Sequence, residues 1–220
     1  MAAMEAATGR DLAQFRRWYA QSGTPRVAVR HSAADGIVTV ELVQSQLPGI
    51  GQPVKLPVHM PFRLALIGRN SGKRLGDERV VEIREPVTRV RFAGVDDPVL
   101  LSLNRGFSAP VIVNSNASRA EFAFLAGCDD DPFARWEALQ RLALDVLATD
   151  DRPDELVAAV AATLAAGADG RLDPAYVGEA VLLPSESFIG DQAAIVDVDA
   201  IHRRREVARA AIAHAPEPQW

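Results

Sequence analysis

One cysteine, Cys128, occurs in 220 residues. A lone thiol excludes an internal disulfide and any site made of several thiolates, so neither a disulfide-stapled scaffold nor a cysteine-rich metal ribbon is encoded. An excess of positive charge is missing too. The 24 Lys and Arg residues stand against 29 Asp and Glu, a formal charge of −5, and no global field draws nucleic acid or an anionic membrane. No run of about 18 uncharged apolar residues occurs, and the opening MAAMEAATGRD has no apolar stretch behind a basic start. Together these absences lead us to expect a cytoplasmic protein with neither nucleic acid nor membrane as partner. Histidine is scarce as well. His31, His59, His202 and His214 form no i, i+4 pair and no H-E-x-x-H, so no helical zinc site is encoded.

What remains is 48% hydrophobic and 24% charged, the profile of a folded globular chain with room for two domains of about 100 residues each. Thr8 and Asp11 have capping-box spacing, and Leu12, Phe15 and Tyr19 follow at helical intervals beside Arg16 and Arg17, which predicts a helix over DLAQFRRWY. Gly23, Thr24 and Pro25 stop it. The period then becomes two. Val27/Val29, Val38/Val40/Leu42 after the Asp35-Gly36 turn, and Met60/Phe62/Leu64/Leu66 opposite His59/Pro61/Arg63/Ala65 each alternate. Further runs are Val81/Ile83, Val90/Phe92, Val99/Leu101/Leu103 and Phe107/Ala109/Val111/Val113. About seven short strands without an intervening helix predict an antiparallel, Ig-like β-sandwich.

From Ser118 onward helical signals return. Ser118 caps a helix through Phe122 and Leu125, and Asp131-Pro132 opens one with Trp136, Leu139, Ala143 and Val146 on a face. Leu156, Val160 and Leu164 mark a third, Asp173-Pro174 repeats the capping device, and a last helix over about 198–213 carries Ile201, Ala208 and Ile212. These predict an all-α helical-repeat or bundle domain, although no fixed period is present. The expected organisation is therefore an N-terminal helix over 1–23, a β-sandwich over 24–117 and a helical domain over 118–220.

No catalytic constellation survives testing. In the Gly68 to Arg74 loop the glycines are one residue too close for a phosphate loop, and Arg74 stands where a magnesium-binding hydroxyl is required, so a hairpin turn is expected. Asp169-Gly170 is no calcium loop, because Ala165, Gly167 and Tyr176 occupy ligand positions. Asp129, Asp130 and Asp131 complement the dipole of the helix that Pro132 begins. Cys128 has no adjacent His or Lys to lower its pKa and reads as a structural thiol. The serines of SNAS (115–118) and LPSESF (183–188) lack the G-x-S-x-G elbow. Arg203, Arg204 and Arg205 have no interleaved aromatics and read as a solvated or docking face. Catalytic, cofactor-binding and metal-binding residues are accordingly expected to be none.

The phrases GRDLAQFRRWYAQSGTP, GQPVKLPVHMPFRLALIG, RGFSAPV, DPFARWEALQRLA and LPSES followed by VDVDAIHRRREVAR closely resemble, in order, stretches of the M1 zinc aminopeptidases of bacterial aminopeptidase N type. The resemblance spans nearly the whole chain. It implies that residues 1 to about 23 correspond to the last helix of a zinc catalytic domain, about 24–117 to a small sandwich, and about 118–220 to the start of a helical domain left incomplete at HAPEPQW. In that family the H-E-x-x-H site with its third Glu ligand, the G-A-M-E-N element and the transition-state tyrosine lie upstream, and nothing here matches them. The resemblance thus implies a non-catalytic segment of such an enzyme, with zinc in the parent and none in this chain. Its implied partner is the rest of the parent, or a second copy covering an unpaired helix face. The rival reading is an independent sandwich-plus-helix module that binds another protein.

Overall fold

In the computed structural model, which describes residues 1–149, 151–193 and 195–215, the alternating stretches become strands and the capped stretches helices. Contacts divide the chain into two units, Met1–Asn116 and Ala117–Trp220. Residues 216–220, the greater part of the HAPEPQW end, lie outside the described residues.

The first unit holds seven strands: β1 (Arg26–Ala34), β2 (Ile37–Ser45), β3 (Met60–Gly68), β4 (Arg74–Ile83), β5 (Val87–Ala93), β6 (Val99–Leu103) and β7 (Ile112–Ser115). They form two sheets, ordered β5-β2-β1-β7 and β4-β3-β6. Asp35 and Gly36 both take positive φ, 51° and 70°, and close β1 onto β2 in the two-residue turn whose twist suits a hairpin. Val27, Val29, Val38, Val40 and Leu42 from one sheet meet Met60, Phe62, Leu64, Leu66 and Ile83 from the other, and this cluster is the core. Gly68 to Lys73 is the expected hairpin, closed by Gly68 N–H to the Lys73 carbonyl at 2.9 Å.

Four expectations need correction. β7 pairs parallel to β1, Arg26 opposite Ile112 through Val29 opposite Ser115, so the sandwich is not wholly antiparallel. The chain reaches β7 from the opposite sheet rather than through a hairpin, which frees its direction. Secondly, Phe107 to Val111 is not strand. Asn104 takes φ 51° and Phe107 φ 52° around a 3-10 turn, Arg105–Phe107. The Asn104 side chain accepts from Ala109 N–H and donates to its carbonyl, both at 3.0 Å. Those bonds replace a ladder, turning Ala109 into the core and leaving Phe107 exposed. Thirdly, beyond Leu64 both faces of β3 are buried, Ala65 and Ile67 included.

The fourth concerns the N-terminal segment. Instead of one helix over residues 11–19 there are α1 (Ala2–Thr8) and α2 (Arg17–Ala20). Thr8 ends α1, donating its hydroxyl to the Met4 carbonyl at 2.6 Å, and does not cap a following helix. Entering α2, Arg17, Trp18 and Tyr19 donate to carbonyls three residues back. Three-residue turns eclipse side chains at i and i+3, so Leu12, Phe15 and Trp18 share a side. Trp18 packs on the sandwich core while Tyr19 is 79% exposed.

The second unit is helical: α3 (Arg119–Cys128), α4 (Pro132–Leu147), α5 (Asp154–Ala168), α6 (Pro174–Ala180), α7 (Glu186–Gln192) and α8 (Val198–Ala213). Ser118 and Glu121 form a reciprocal capping box on α3. Asp131 and Asp173 accept from the first N–H groups of α4 and α6, with Pro at the first helical position in each. Helix α5 ends at Gly170, φ 68°, with Arg171 N–H on the Ala166 carbonyl and Gly170 N–H on that of Gly167, which is a Schellman stop. Its buried stripe is Leu156, Val160, Thr163 and Ala166, with Leu164 only half-buried. At Gly167 a Cβ would lie 2.9 Å from Val177 Cγ2, so glycine there permits α6 to approach α5. Helix α7 was not expected; its seven residues are too few for a periodic signal.

Candidate functional site

Residues 46–57, QLPGIGQPVKLP, link β2 to β3 and carry three prolines and two glycines. Such sequence suits no long ladder; Gly49 and Gln52 close a single bridge, and side chains hold the rest. Gln52 accepts from Ser22 N–H and donates to the Ala20 carbonyl, both at 2.9 Å. Gln21 accepts from Leu56 N–H at 2.7 Å and donates to its carbonyl at 2.9 Å. Lys55 Nζ donates to the Ser22 carbonyl at 2.5 Å. A Cβ at Gly49 would lie 2.8 Å from Ser22 Oγ, so a larger residue there would have to displace the Ser22 hydroxyl. Alongside, Arg17 donates to the Pro57 carbonyl at 2.5 Å, Gln14 to that of Arg84 at 2.5 Å, and the Trp18 indole to that of His59 at 2.8 Å. Gln44, buried, bonds both backbone groups of Val58 and the Glu85 carbonyl.

This network fixes the backbone while the apolar side chains of Leu47, Ile50, Val54 and Leu56 are left in solvent, beside the tether that carries Tyr19. A held loop with four exposed aliphatic residues is a ready contact surface, because its ordering entropy is already spent on folding. It is the strongest candidate for a functional feature in the first unit.

A second cluster is ionic. Glu78 on β4 takes Arg63 of β3 on one oxygen and Arg105 Nε on the other at 2.8 Å. Arg105 Nη1 also donates to Ser102 Oγ at 2.8 Å. Hydrogen bonds from Arg63 and then Arg105 hold the Glu78 carboxyl below its ordinary range. All three ions are paired, so the cluster clamps β3, β4 and the turn after β6 rather than offering an acid or base.

The residues weighed as possible sites are scattered. His31 is exposed on β1; His59 lies 3.4 Å from Glu82; His202 Nδ1 pairs with Glu186 at 2.8 Å; His214 contacts the Ala210 carbonyl at 2.7 Å. Among the described residues no three His, Cys, Asp or Glu side chains are grouped to hold a metal ion. Cys128 ends α3, where burial, and then Asp129, push its thiol up to about 11. Ser118 and Ser185 cap helices. Asp131 caps α4, and Asp129 accepts from Asp131 N–H at 3.0 Å. Asp169 pairs with Arg171 at the Schellman stop. Arg204 donates to the Ala148 carbonyl at 3.1 Å, and Arg205 to that of Pro184 at 3.0 Å, so this basic run braces α8 within its own unit. No helix among the described residues is long and apolar enough to cross a membrane. Sequence reasoning passed over the 46–57 surface because its signal, Pro and Gly with interspersed aliphatics, reads as a plain loop.

Residues 23–116 match the family model described as "Domain of unknown function (DUF3458) Ig-like fold", and residues 119–220 match "Domain of unknown function (DUF3458_C) ARM repeats". Among curated proteins, the aminopeptidase N of Caulobacter vibrioides is 36% identical over 213 residues, 94% of this chain and 25% of that protein. The aminopeptidase N of Escherichia coli is 31% identical over 220 residues, 93% and 25% respectively. That of Haemophilus influenzae is 32% identical over 150 residues, 64% and 17%. Among solved structures, Legionella pneumophila aminopeptidase A in complex with aspartic acid superposes with a TM-score of 0.82 at 20% identity, covering 96% of this chain and 24% of that one. This last likeness speaks to fold alone. The chain is thus an Ig-like sandwich followed by an ARM-type helical unit, similar in sequence to a segment spanning about a quarter of aminopeptidase N.

Proposed function

We propose that this chain serves as a non-catalytic structural segment of an M1 zinc aminopeptidase. Its sandwich would space the zinc-bearing domain from the helices, and the helices would help wall the chamber in which peptides are trimmed from the amino end. Residues 1–23 would be the end of the catalytic domain, 24–117 the spacer and 118–220 the opening part of the helical domain. The observation that carries this reading is the 36% identity to Caulobacter aminopeptidase N sustained over 94% of the chain. The fixed apolar loop at 46–57 adds a physical reason: Leu47, Ile50, Val54 and Leu56 would be covered by the rest of such an enzyme. In the parent, zinc would supply the Lewis acidity for hydrolysis, and this chain's residues would position and enclose rather than react. Purified chain supplied with zinc should release no p-nitroaniline from aminoacyl-p-nitroanilides, and should self-associate through its uncovered faces in light scattering. Zinc-dependent release would overturn the non-catalytic assignment.

A further inference from the structure

Strands β4 and β5 each pair on one side only, β4 with β3 and β5 with β2. Their outer edges border a groove of about 560 Å³. β4 bulges beside it: the register runs from Leu64 opposite Arg79 directly to Leu66 opposite Leu75, leaving residues 76–78 outside the paired register. Gly76 at φ 71° makes the bend. Leu66, Leu75, Phe92 and Val95 supply apolar lining, and Asp77, Asp96 and Asp97 supply three carboxylates. The lining cation is already engaged. Arg79 lies with its guanidinium carbon 4.3 Å from the Phe92 ring centroid and donates to the Arg91 carbonyl at 2.7 Å. Asp97 is fixed by Asn70 N–H at 3.2 Å. Among the described residues, the side chains of Asp77 and Asp96 have neither a hydrogen-bonded nor an ion-pair partner.

We propose that this groove binds an extended basic segment of polypeptide, in a role separate from the structural one. Free sheet edges offer backbone donors and acceptors to an added strand. A lysine stem can lie on the half-buried Leu75 and Val95 while its ammonium reaches Asp77 or Asp96. An acidic segment would meet three carboxylates against one arginine that is already engaged, so charge complementarity selects the basic one.

The test is an amide NMR titration of the full chain with acetyl-Val-Lys-Val-Lys-Val-amide, its glutamate counterpart and butylammonium. The lysine peptide should shift the amides of Gly76, Asp77, Gly94 and Asp96 saturably, and the glutamate peptide should not. The exposed double substitution Asp77→Asn/Asp96→Asn should weaken binding about fivefold, the scale of two partly solvated ion pairs, with all other amide positions unchanged. Failure of the lysine peptide to shift those amides, equal binding of both peptides, or an unchanged affinity in the double variant would each overturn the proposal. Butylammonium binding as tightly as the peptide would overturn the polypeptide assignment.

Discussion

Trp18 donates its indole N–H to the His59 carbonyl and lays its ring on the sandwich core, while the adjacent Tyr19 stands in solvent. Trp18→Ala should therefore cost about 3 kcal/mol, from lost packing and an orphaned carbonyl, and Tyr19→Ala less than about 0.5 kcal/mol. Urea unfolding of the two variants gives both numbers. Glu78 makes a pH prediction. Its carboxyl titrates lower in the folded state because Arg63 and Arg105 bond to it, so the unfolded chain binds the proton more readily. That stabilisation is complete above the ordinary carboxylate range and is lost as pH falls through the lower folded value. Glu78→Gln should flatten this acid dependence, and should cost about 3 kcal/mol at neutral pH by removing the carboxylate that bonds Arg63 and the buried Arg105. Cys128, with its thiol raised to about 11, should react slowly with iodoacetamide at pH 8 and speed up only as pH approaches that value.

At the scale of the element, two features set the helical unit. The capping box of Ser118 and Glu121 satisfies two N–H groups of α3, and Ser118→Ala should lower stability by about 1 kcal/mol. Gly167→Val would force a branched side chain into Val177 of α6, a loss of about 2 kcal/mol or more by overpacking, read from the thermal midpoint. These elements were legible in advance because their signals are local: Asp131-Pro132, Asp173-Pro174 and Ser118 each fix a helix start by side-chain chemistry alone. The β1–β2 hairpin was legible for the same reason at Asp35-Gly36. The N-terminal segment was not, because Leu12, Phe15 and Tyr19 fit a 3.6-residue period and Leu12, Phe15 and Trp18 a three-residue one. Contacts 40 residues away decide between them, the indole bond to His59 and the Arg17 bond to Pro57. The parallel β7 and the Asn104 turn were hidden likewise, since both depend on which sheet the chain enters. In the candidate surface, the apolar residues were readable and their rigidity was not, since Gln21, Gln52 and Lys55 are ordinary polar residues until folding brings the 20–22 segment beside the loop.

For the whole molecule, the proposed spacer would be the sandwich with its tethered apolar loop, and the proposed wall the helical unit that follows it. In keeping with this, the ionic cluster and the caps use charges to hold backbone. The central claim is that this chain can take the place of the segment it resembles. The most direct measurement is aminoacyl-p-nitroanilide hydrolysis by Caulobacter aminopeptidase N in which the matching 213-residue stretch is replaced by this chain. The account predicts a folded chimera with zinc-dependent turnover, lost or strongly reduced when Ile50→Asp and Leu56→Asp are introduced together. A folded, zinc-loaded chimera with no turnover, or one indifferent to both substitutions, would contradict it.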